Sequence, residues 1–334
     1  MEIPQVARFC RQCLQLETAP DYPDGELLRE EHVQEAVYKR LFAQDVTAPP
    51  PRRYQLRILK ELIARIESSI QDWDEHGISD NLMSALTELL SQPLPDEIIA
   101  AQQRCYVTYH LSLLQAESAV EDPNICLLES RHLISAAGTT GLRTWEAALH
   151  LGQYLCRNPS LVKDKCILEL GTGTGYLAVL CAKYLGSDHV IASDGSDEVV
   201  DKVSDSFFLN GLQESDKASA KELKWGHALV GTEEQAWNGG RTVDVVLGAD
   251  ITYDVSVIPA LVATLEELAG LFPGVSILIA ATERNRATFE RFLEVCGKRG
   301  FVVSHEPFPV PAKAEQNGPF YSDGTPIHIC KLKK

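Results

Sequence analysis

Apolar residues recur at helical spacing through the first hundred or so residues of the chain. In "EEHVQEAVYKRLFA", Val33, Val37 and Leu41 lie three to four positions apart, and "RRYQLRILKELIARIESSI" continues the same period. A further segment, "DNLMSALTELLSQPLP", begins at residues that commonly cap helices and stops at a proline. Such spacing places the apolar side chains on one face of each helix. The pattern predicts an N-terminal all-α domain over residues 1–104.

The pattern changes from residue 105 onwards. "CYVTYHLSLL" and "ICLLESRHLIS" are typical of two short strands that can form a hairpin, and "TWEAALHLGQYLCRNP" is typical of a helix. Strand-like and helix-like runs then alternate from "KCILELG" to "NRATFERFLEVCGKRG". This alternation predicts an α/β domain over residues 105–334, with a parallel sheet covered by helices on both faces.

The end of the chain departs from the alternation. The strand-like runs "FVVSHEPF" and "PIHICKLKK" are separated by the loop 309–326, which has no helical pattern. Without a crossover helix, the two strands are expected to pair antiparallel.

Charge and hydropathy narrow the choice of partners. The chain has 47 acidic against 31 basic side chains, a net charge of −16. Because nucleic-acid binding depends on basic groups against phosphates, we expect no direct nucleic-acid partner. The acidic surplus suits a basic or lysine-bearing partner, and it is equally typical of an ordinary soluble surface. No signal peptide or membrane-spanning stretch is evident, so we expect no membrane partner and a cytoplasmic location.

The nine cysteines are scattered and odd in number, which favours a reducing compartment. "CRQC", from Cys10 to Cys13, has the spacing of a zinc or redox site. No second pair follows at metal spacing and the flanking sequence is helical, so the pair does not predict a metal centre.

A glycine-rich loop follows the first strand of the alternating region. "LELGTGTGYL" places Gly171, Gly173 and Gly175 at every second position, with Glu169 before them. In a doubly wound sheet, ligands bind beyond the carboxyl ends of the strands, where the strand order reverses. Dinucleotide-binding loops have the spacing G-x-G-x-x-G, whereas this loop has G-x-G-x-G. No lysine follows the glycines, which excludes a nucleoside-triphosphate loop.

The acidic residues at the loop favour a ligand without phosphates. Glu169 would repel a pyrophosphate but tolerate the ammonium group of an amino acid. Asp194, which ends "VIASD", can accept hydrogen bonds from both hydroxyls of a ribose. The residues therefore favour S-adenosylmethionine over a dinucleotide. A second interpretation of Glu169, as a brace for the loop, is compatible with both cofactors.

Five motifs in fixed order resemble a known enzyme family. "TGLRTWEAA", "ILELGTGTG", "VIASD", "ELKWG" and "VLGADITYD" resemble the seven-β-strand protein lysine methyltransferases with a D-x-x-Y motif. The resemblance covers residues 125–308. "RFCRQCLQL", "ISAAGTTGLRTWEAALHL" and "ATERNRATFERF" extend it to nearly the whole chain. They are similar to the elongation factor 2 lysine methyltransferases, a branch with an N-terminal helical domain.

The resemblance implies a Rossmann-like, seven-stranded sheet, mostly parallel with an antiparallel last strand, and S-adenosylmethionine as cofactor. It places Trp145 at the methionine end of the cofactor, Asp194 at the ribose and Trp225 beside the adenine. The remaining residues that it assigns to the cofactor lie in the glycine loop and at the end of a later strand: Glu169, Gly171, Thr172, Gly173, Gly175 and Ala249.

The D-x-x-Y motif implies that Asp250 and Tyr253 face the substrate lysine. From the residues alone, Asp250 can also be a helix cap and Tyr253 a packing residue. Likewise, Trp145 and Trp225 are typical of core residues without the resemblance. "ATERN" stands where relatives often carry a lysine-arginine pair, which leaves the roles of Glu283 and Arg284 open.

The resemblance thus implies a protein-lysine N-methyltransferase whose substrate is translation elongation factor 2, and we expect it to be a monomer. The alternative is a methyltransferase acting on another protein or a small molecule. A NAD(P)-dependent oxidoreductase and a non-catalytic binding module are disfavoured by the glycine spacing and by the intact acidic positions.

Overall fold

The computed structural model describes residues 3–91, 93, 103–114, 122–130, 141–226 and 238–334. These residues form two compact units. The first comprises described residues within Met1–Ser112, Val120–Leu133 and Asn317–Phe320. The second comprises the described remainder, chiefly within Ile134–Gln316 and Tyr321–Lys334. In the described part of the chain, no helix is both long and apolar enough to cross a membrane.

Helices dominate the first unit, as the apolar spacing predicts. They are α1 (Pro4–Leu14), α2 (Gly25–Leu28), α3 (Glu31–Leu41), α4 (Arg52–Ser69) and α5 (Asp80–Ser91). Their apolar faces meet in one core, in which Phe9, Val33, Leu59 and Leu82 are fully buried. Each of these side chains contributes about 1.5–3 kcal/mol by leaving water.

The cysteine pair of "CRQC" lies on the buried face of α1. Cys10 and Cys13 are each 1% exposed and belong to the core of the first unit. Burial raises the pKa of the Cys13 thiol well above its ordinary value, and the neighbouring Cys10 adds to the rise. The two residues therefore act as small apolar core residues.

The predicted hairpin is present. It consists of β1 (Cys105–His110) and β2 (Asn124–Glu129), which pair antiparallel with Val107 opposite Leu127. The two strands group with the first unit together with residues 317–320. The division into domains at residue 104 stays a prediction, since compactness does not show which segments fold independently.

The second unit contains the alternating elements. Its helices are α6 (Glu146–Arg157), α7 (Tyr176–Lys183), α8 (Asp197–Leu209), α9 (Ile258–Leu271) and α10 (Arg286–Lys298). Its strands are β3 (Cys166–Leu170), β4 (His189–Asp194), β5 (Ala218–Glu222), β6 (Val245–Ala249), β7 (Ser276–Thr282), β8 (Val302–Glu306) and β9 (Ile327–Lys333). Short 3-10 turns lie at Pro159–Leu161 and Lys313–Glu315.

The seven strands form one sheet in the order β5-β4-β3-β6-β7-β9-β8. The pairs from β5 to β7 are parallel, and β9 runs antiparallel to both β7 and β8. This confirms the Rossmann-like, seven-stranded fold with an antiparallel last strand. The final strand lies inside the sheet, so β8 forms the edge.

The strand order sets the position of the ligand site. From β3 the chain continues to β4 on one side, while β6 pairs with β3 on the other side. The order therefore reverses at β3, and the loops after β3 and β6 leave a crevice between them. All five residues of β3 are buried, which fixes the base of this crevice.

Candidate active site

A cavity of about 430 Å³ opens at the carboxyl ends of β3, β4 and β6. Every residue that the sequence predicts for the site lines this cavity, with the single exception of Gly175. The structure therefore brings together residues from "TGLRTW", the glycine loop, "VIASD", "LKWG" and "DITY", which lie far apart in the sequence.

The glycine loop approaches its neighbours too closely for side chains. Gly171 has a φ of +65°, and a Cβ atom there would lie 2.6 Å from Cγ2 of Ile251. Gly173 has a φ of +54°, and a Cβ atom would lie 3.3 Å from the carbonyl oxygen of Gly141. Both positions therefore need glycine, which leaves the backbone of the loop exposed to the cavity.

Gly175 has a different task. It is the N-cap of α7 with a φ of +83°, and a Cβ atom would contact Val203 and Ser206 of α8 at 3.4 and 3.7 Å. The positive φ favours glycine at this turn into the helix, and the position faces α8, where a Cβ atom would be at ordinary contact distance. Its assignment to the cofactor stays a prediction that the geometry does not favour.

Glu169 is buried at the base of the loop. It accepts a hydrogen bond of 2.7 Å from the Thr172 hydroxyl and another from the Ala178 backbone N–H. Burial raises the pKa of Glu169 to about 8, against the effect of these two donors. Glu169 thus braces the loop and also lines the cavity. The geometry is therefore compatible with a contact to the cofactor as well as with a structural role in the loop.

The raised pKa of Glu169 predicts a pH-dependent stability. Between about 4.5 and about 8 the folded chain holds a proton that the unfolded chain has lost, so the free energy of unfolding falls as the pH rises. Glu169→Gln is expected to flatten this slope. Denaturant unfolding from pH 5 to pH 9 measures it. Glu214→Gln, at an exposed position, is the matched control and should retain the wild-type slope. Equal slopes for wild type and Glu169→Gln would contradict this assignment.

Asp194 ends β4 and faces the glycine loop. Its Oδ2 accepts a hydrogen bond of 3.3 Å from the Gly173 backbone N–H, and its Oδ1 accepts one of 3.1 Å from that of Ser196. Burial raises the pKa of Asp194, while these backbone donors oppose the rise. The Gly195 backbone N–H also donates to this carboxylate. A carboxylate offers about four acceptor positions, so these three donors leave room for a ribose hydroxyl.

Two tryptophans form walls of the cavity. Trp225 packs against the core of the second unit, and its buried Nε1 has no hydrogen-bond partner among the described residues. Trp145 is the N-cap residue of α6. The guanidinium groups of Arg143 and Arg284 lie over its ring, 4.8 and 5.1 Å from the ring centroid.

Asp250 follows β6 in a left-handed conformation, with a φ of +54°. Few residues adopt this conformation, although aspartate tolerates it better than most. The side chain is 5% exposed and forms an ion pair with Arg284, whose two terminal nitrogens donate to the two carboxylate oxygens at 3.2 and 3.1 Å. Ala249 precedes Asp250 and Tyr253 lies three residues after it; Tyr253 is 57% exposed and lines the cavity.

Arg284 continues into a chain of alternating charges. Its Nη2 donates to Glu146 at 2.7 Å, and Glu146 also accepts from Arg143 at 3.3 Å. Burial alone would lower the pKa of Arg284, but Asp250 and Glu146 outweigh burial and raise it.

Neither Arg284 nor Glu146 is predicted from the sequence. One feature of the sequence could have pointed to Arg284, which comes just after β7. Because β7 is the parallel neighbour of β6, the carboxyl ends of the two strands meet, and Arg284 is brought close to Asp250.

Glu283, the other residue of unknown role, lies apart from this network. Its carboxylate lies 2.7 Å from Nε2 of His328 on β9, and its backbone N–H donates to the carbonyl oxygen of Pro326. These contacts tie the end of β7 to β9, which is a structural role.

The residues fit S-adenosylmethionine. The glycine loop offers bare backbone, Asp194 has a free acceptor position for a ribose, and the Trp225 Nε1 is a buried donor without a partner among the described residues. Glu169 lies beside the loop, where it can accept a hydrogen bond from the ammonium of the methionine portion, and that cation would favour its charged form.

Comparisons with known proteins agree with this fit. A family model described as lysine methyltransferase matches residues 133–298. The protein-lysine N-methyltransferase EFM3 of Chaetomium thermophilum is 71% identical over 332 residues, which covers 99% of this chain and 98% of the relative. EFM3 of Saccharomyces cerevisiae is 32% identical over 78% of this chain and 77% of its own length. The human protein-lysine N-methyltransferase EEF2KMT is 29% identical over 86% of this chain and 82% of its own length.

These matches confirm the predicted enzyme class. Identity of 71% over nearly the full length of both chains shows common family membership. The family and the fold imply S-adenosylmethionine as the methyl donor, which confirms the cofactor predicted from the glycine loop and the acidic positions. The chain belongs to the EFM3 family of protein-lysine N-methyltransferases.

Proposed function

We propose that the chain transfers a methyl group from S-adenosylmethionine to a lysine of translation elongation factor 2, as a cytoplasmic monomer. The observation that carries the proposal is that Asp194 and Asp250 line one cavity, on either side of the glycine loop. The elongation factor is supported by the sequence resemblance and by the name of the human relative, EEF2KMT.

Asp194, the glycine loop and Trp225 are assigned to the cofactor. The cofactor supplies a methyl group on a sulfonium, which an amine nitrogen can attack directly. Asp194 would hold the ribose, the bare backbone at Gly171 and Gly173 would hold the methionine portion, and Trp225 would contact the adenine. Proximity and alignment then contribute most of the rate enhancement, since the transfer needs little covalent help.

Asp250 and Tyr253 are assigned to the substrate. The lysine arrives as an ammonium with an ordinary pKa of about 10.4 and must lose a proton before its nitrogen can attack. Asp250 attracts and orients the ammonium. Burial of the side chain between Tyr253 and Trp145 favours the neutral amine and so opposes the preference of Asp250 for the ammonium. The proton then leaves to solvent; Asp250 is not assigned as a strong base, because a carboxylate lies far below lysine in basicity.

The direct test uses purified components. The full chain is incubated with unmethylated elongation factor 2 and labelled S-adenosylmethionine, and digested peptides are sequenced by mass spectrometry. The expected result is label on one lysine side chain of the elongation factor. Absence of label from the elongation factor would favour the alternative substrate classes, another protein or a small molecule. Binding of NAD but not of S-adenosylmethionine in a calorimeter would overturn the cofactor assignment.

A further inference from the structure

The carboxylate of Asp250, which the proposed function assigns to the substrate ammonium, is already fully bonded. Oδ1 accepts from the Thr282 backbone N–H at 3.1 Å and from Arg284 Nη1 at 3.2 Å. Oδ2 accepts from Arg284 Nη2 at 3.1 Å and from the Ala147 backbone N–H at 3.4 Å. A carboxylate offers about four acceptor positions, so an ammonium can bind here only by replacing one of these donors.

Arg284 is the donor that can be replaced. The other two donors are backbone groups at the end of β7 and in the first turn of α6, and their positions are fixed by the secondary structure. The Arg284 side chain is 41% exposed, whereas Asp250 is 5% exposed. The guanidinium therefore lies on the solvent side of the carboxylate, and its rotation opens one side of Asp250 without breaking a backbone hydrogen bond.

A released Arg284 keeps two other contacts. Its Nη2 already donates to Glu146 at 2.7 Å, and its guanidinium lies 5.1 Å from the centroid of the Trp145 ring. The Glu146 side chain is 24% exposed and belongs to the same helix as the N–H donor to Asp250. The loss of Asp250 as a partner therefore does not leave the arginine charge uncompensated, which would otherwise oppose the exchange.

We propose that Arg284 occupies the ammonium position on Asp250 until the substrate lysine replaces it, and that Glu146 holds the displaced guanidinium. Arg284 is thus a positioning residue: it keeps the Asp250 carboxylate oriented before the substrate arrives. It also weakens substrate binding, because the substrate cation has to displace the guanidinium before it can bind Asp250. This inference rests on the proposed function.

Two variants with opposite expected effects test the exchange. Arg284→Gln removes the competitor for Asp250 and is expected to lower the KM for elongation factor 2 about tenfold. A change of this size arises when the state with an open Asp250 rises from about a tenth of the molecules to nearly all of them. Glu146→Gln removes the alternative partner of Arg284 and is expected to raise the KM several-fold, with kcat changed less than KM in both variants. Affinity for the elongation factor without any methyl donor, measured by biolayer interferometry, should follow the same order.

The matched control is Arg286→Gln. Arg286 lies two residues further on, is 81% exposed and pairs with Glu290, so its replacement should leave KM unchanged. If Arg284 is instead a permanent clamp, both variants lower kcat in the same direction with an unchanged KM, and the exchange is overturned. Thermal melting of each variant identifies loss of folding. Absence of wild-type methylation of the elongation factor would overturn the proposed function, and the exchange with it.

Discussion

Replacement of Asp194 by alanine is expected to weaken S-adenosylmethionine binding about 100-fold. Hydrogen bonds to a charged group are worth about 1.5–3 kcal/mol each, so loss of the hydrogen bonding between Asp194 and the ribose removes about 3 kcal/mol. Every 1.4 kcal/mol corresponds to a tenfold change in affinity. The variant also loses the bond from the Gly173 N–H, which helps to hold the glycine loop. Calorimetric titration with S-adenosylmethionine measures the effect.

Two further variants isolate the role of the Asp194 side chain. Asp194→Asn retains one carbonyl oxygen and should bind the cofactor more tightly than the alanine variant but less tightly than wild type. Asp201→Ala is the matched control, since this exposed acid lies on α8 just beyond Asp194. Its affinity should equal that of wild type. Wild-type affinity in Asp194→Ala, with an intact melting transition, would remove Asp194 from the cofactor site.

Asp250→Asn is expected to lower the turnover number about 100-fold while cofactor affinity stays at the wild-type level. The amide has nearly the same shape but no charge, so it neither attracts nor orients the substrate ammonium. A misplaced reactant of this kind can cost about two orders of magnitude in rate. The ion pair with Arg284 is also lost, although Glu146 still contacts that guanidinium. Initial rates at saturating elongation factor 2, together with calorimetry for the cofactor, measure the two quantities separately.

The control for Asp250 is its neighbour in the same loop. Asp254 is exposed, and its carboxylate accepts local hydrogen bonds from the backbone and side chain of Ser256. Asp254→Asn should therefore leave turnover unchanged. Full turnover in Asp250→Asn with unchanged cofactor binding would show that this carboxylate does not act on the substrate.

Much of the fold follows from short-range patterns. The helical spacing around Val33 and Leu59 predicts helices that the structure contains, because one apolar stripe has to be buried. The alternation after β2 predicts the parallel sheet, because parallel strands need crossover helices. The candidate site follows from the same rule: Asp194 ends one strand, Asp250 comes directly after another, and these strand ends meet at one edge of the sheet.

Other features depend on long-range contacts that no local pattern encodes. The position of β9 between β7 and β8 is set by pairing with both strands, not by the composition of β9 itself. The ion pairs of Arg284 join residues 34 and 138 positions apart. Because an arginine side chain has many rotamers, even a correct strand order does not reveal which carboxylate it meets. For the same reason, the spacing of the glycines does not show that Gly175 faces α8 instead of the cavity.

The most direct measurement is unbiased labelling of a whole-cell protein extract. The purified chain and isotopically labelled S-adenosylmethionine are added to an extract from cells that lack the native enzyme, and labelled molecules are identified by mass spectrometry. The expected result is a dominant label on a lysine of elongation factor 2, absent when the Asp250→Asn variant replaces the wild-type chain. Label found only on nucleic acid, on a small molecule or on no molecule at all would contradict this account.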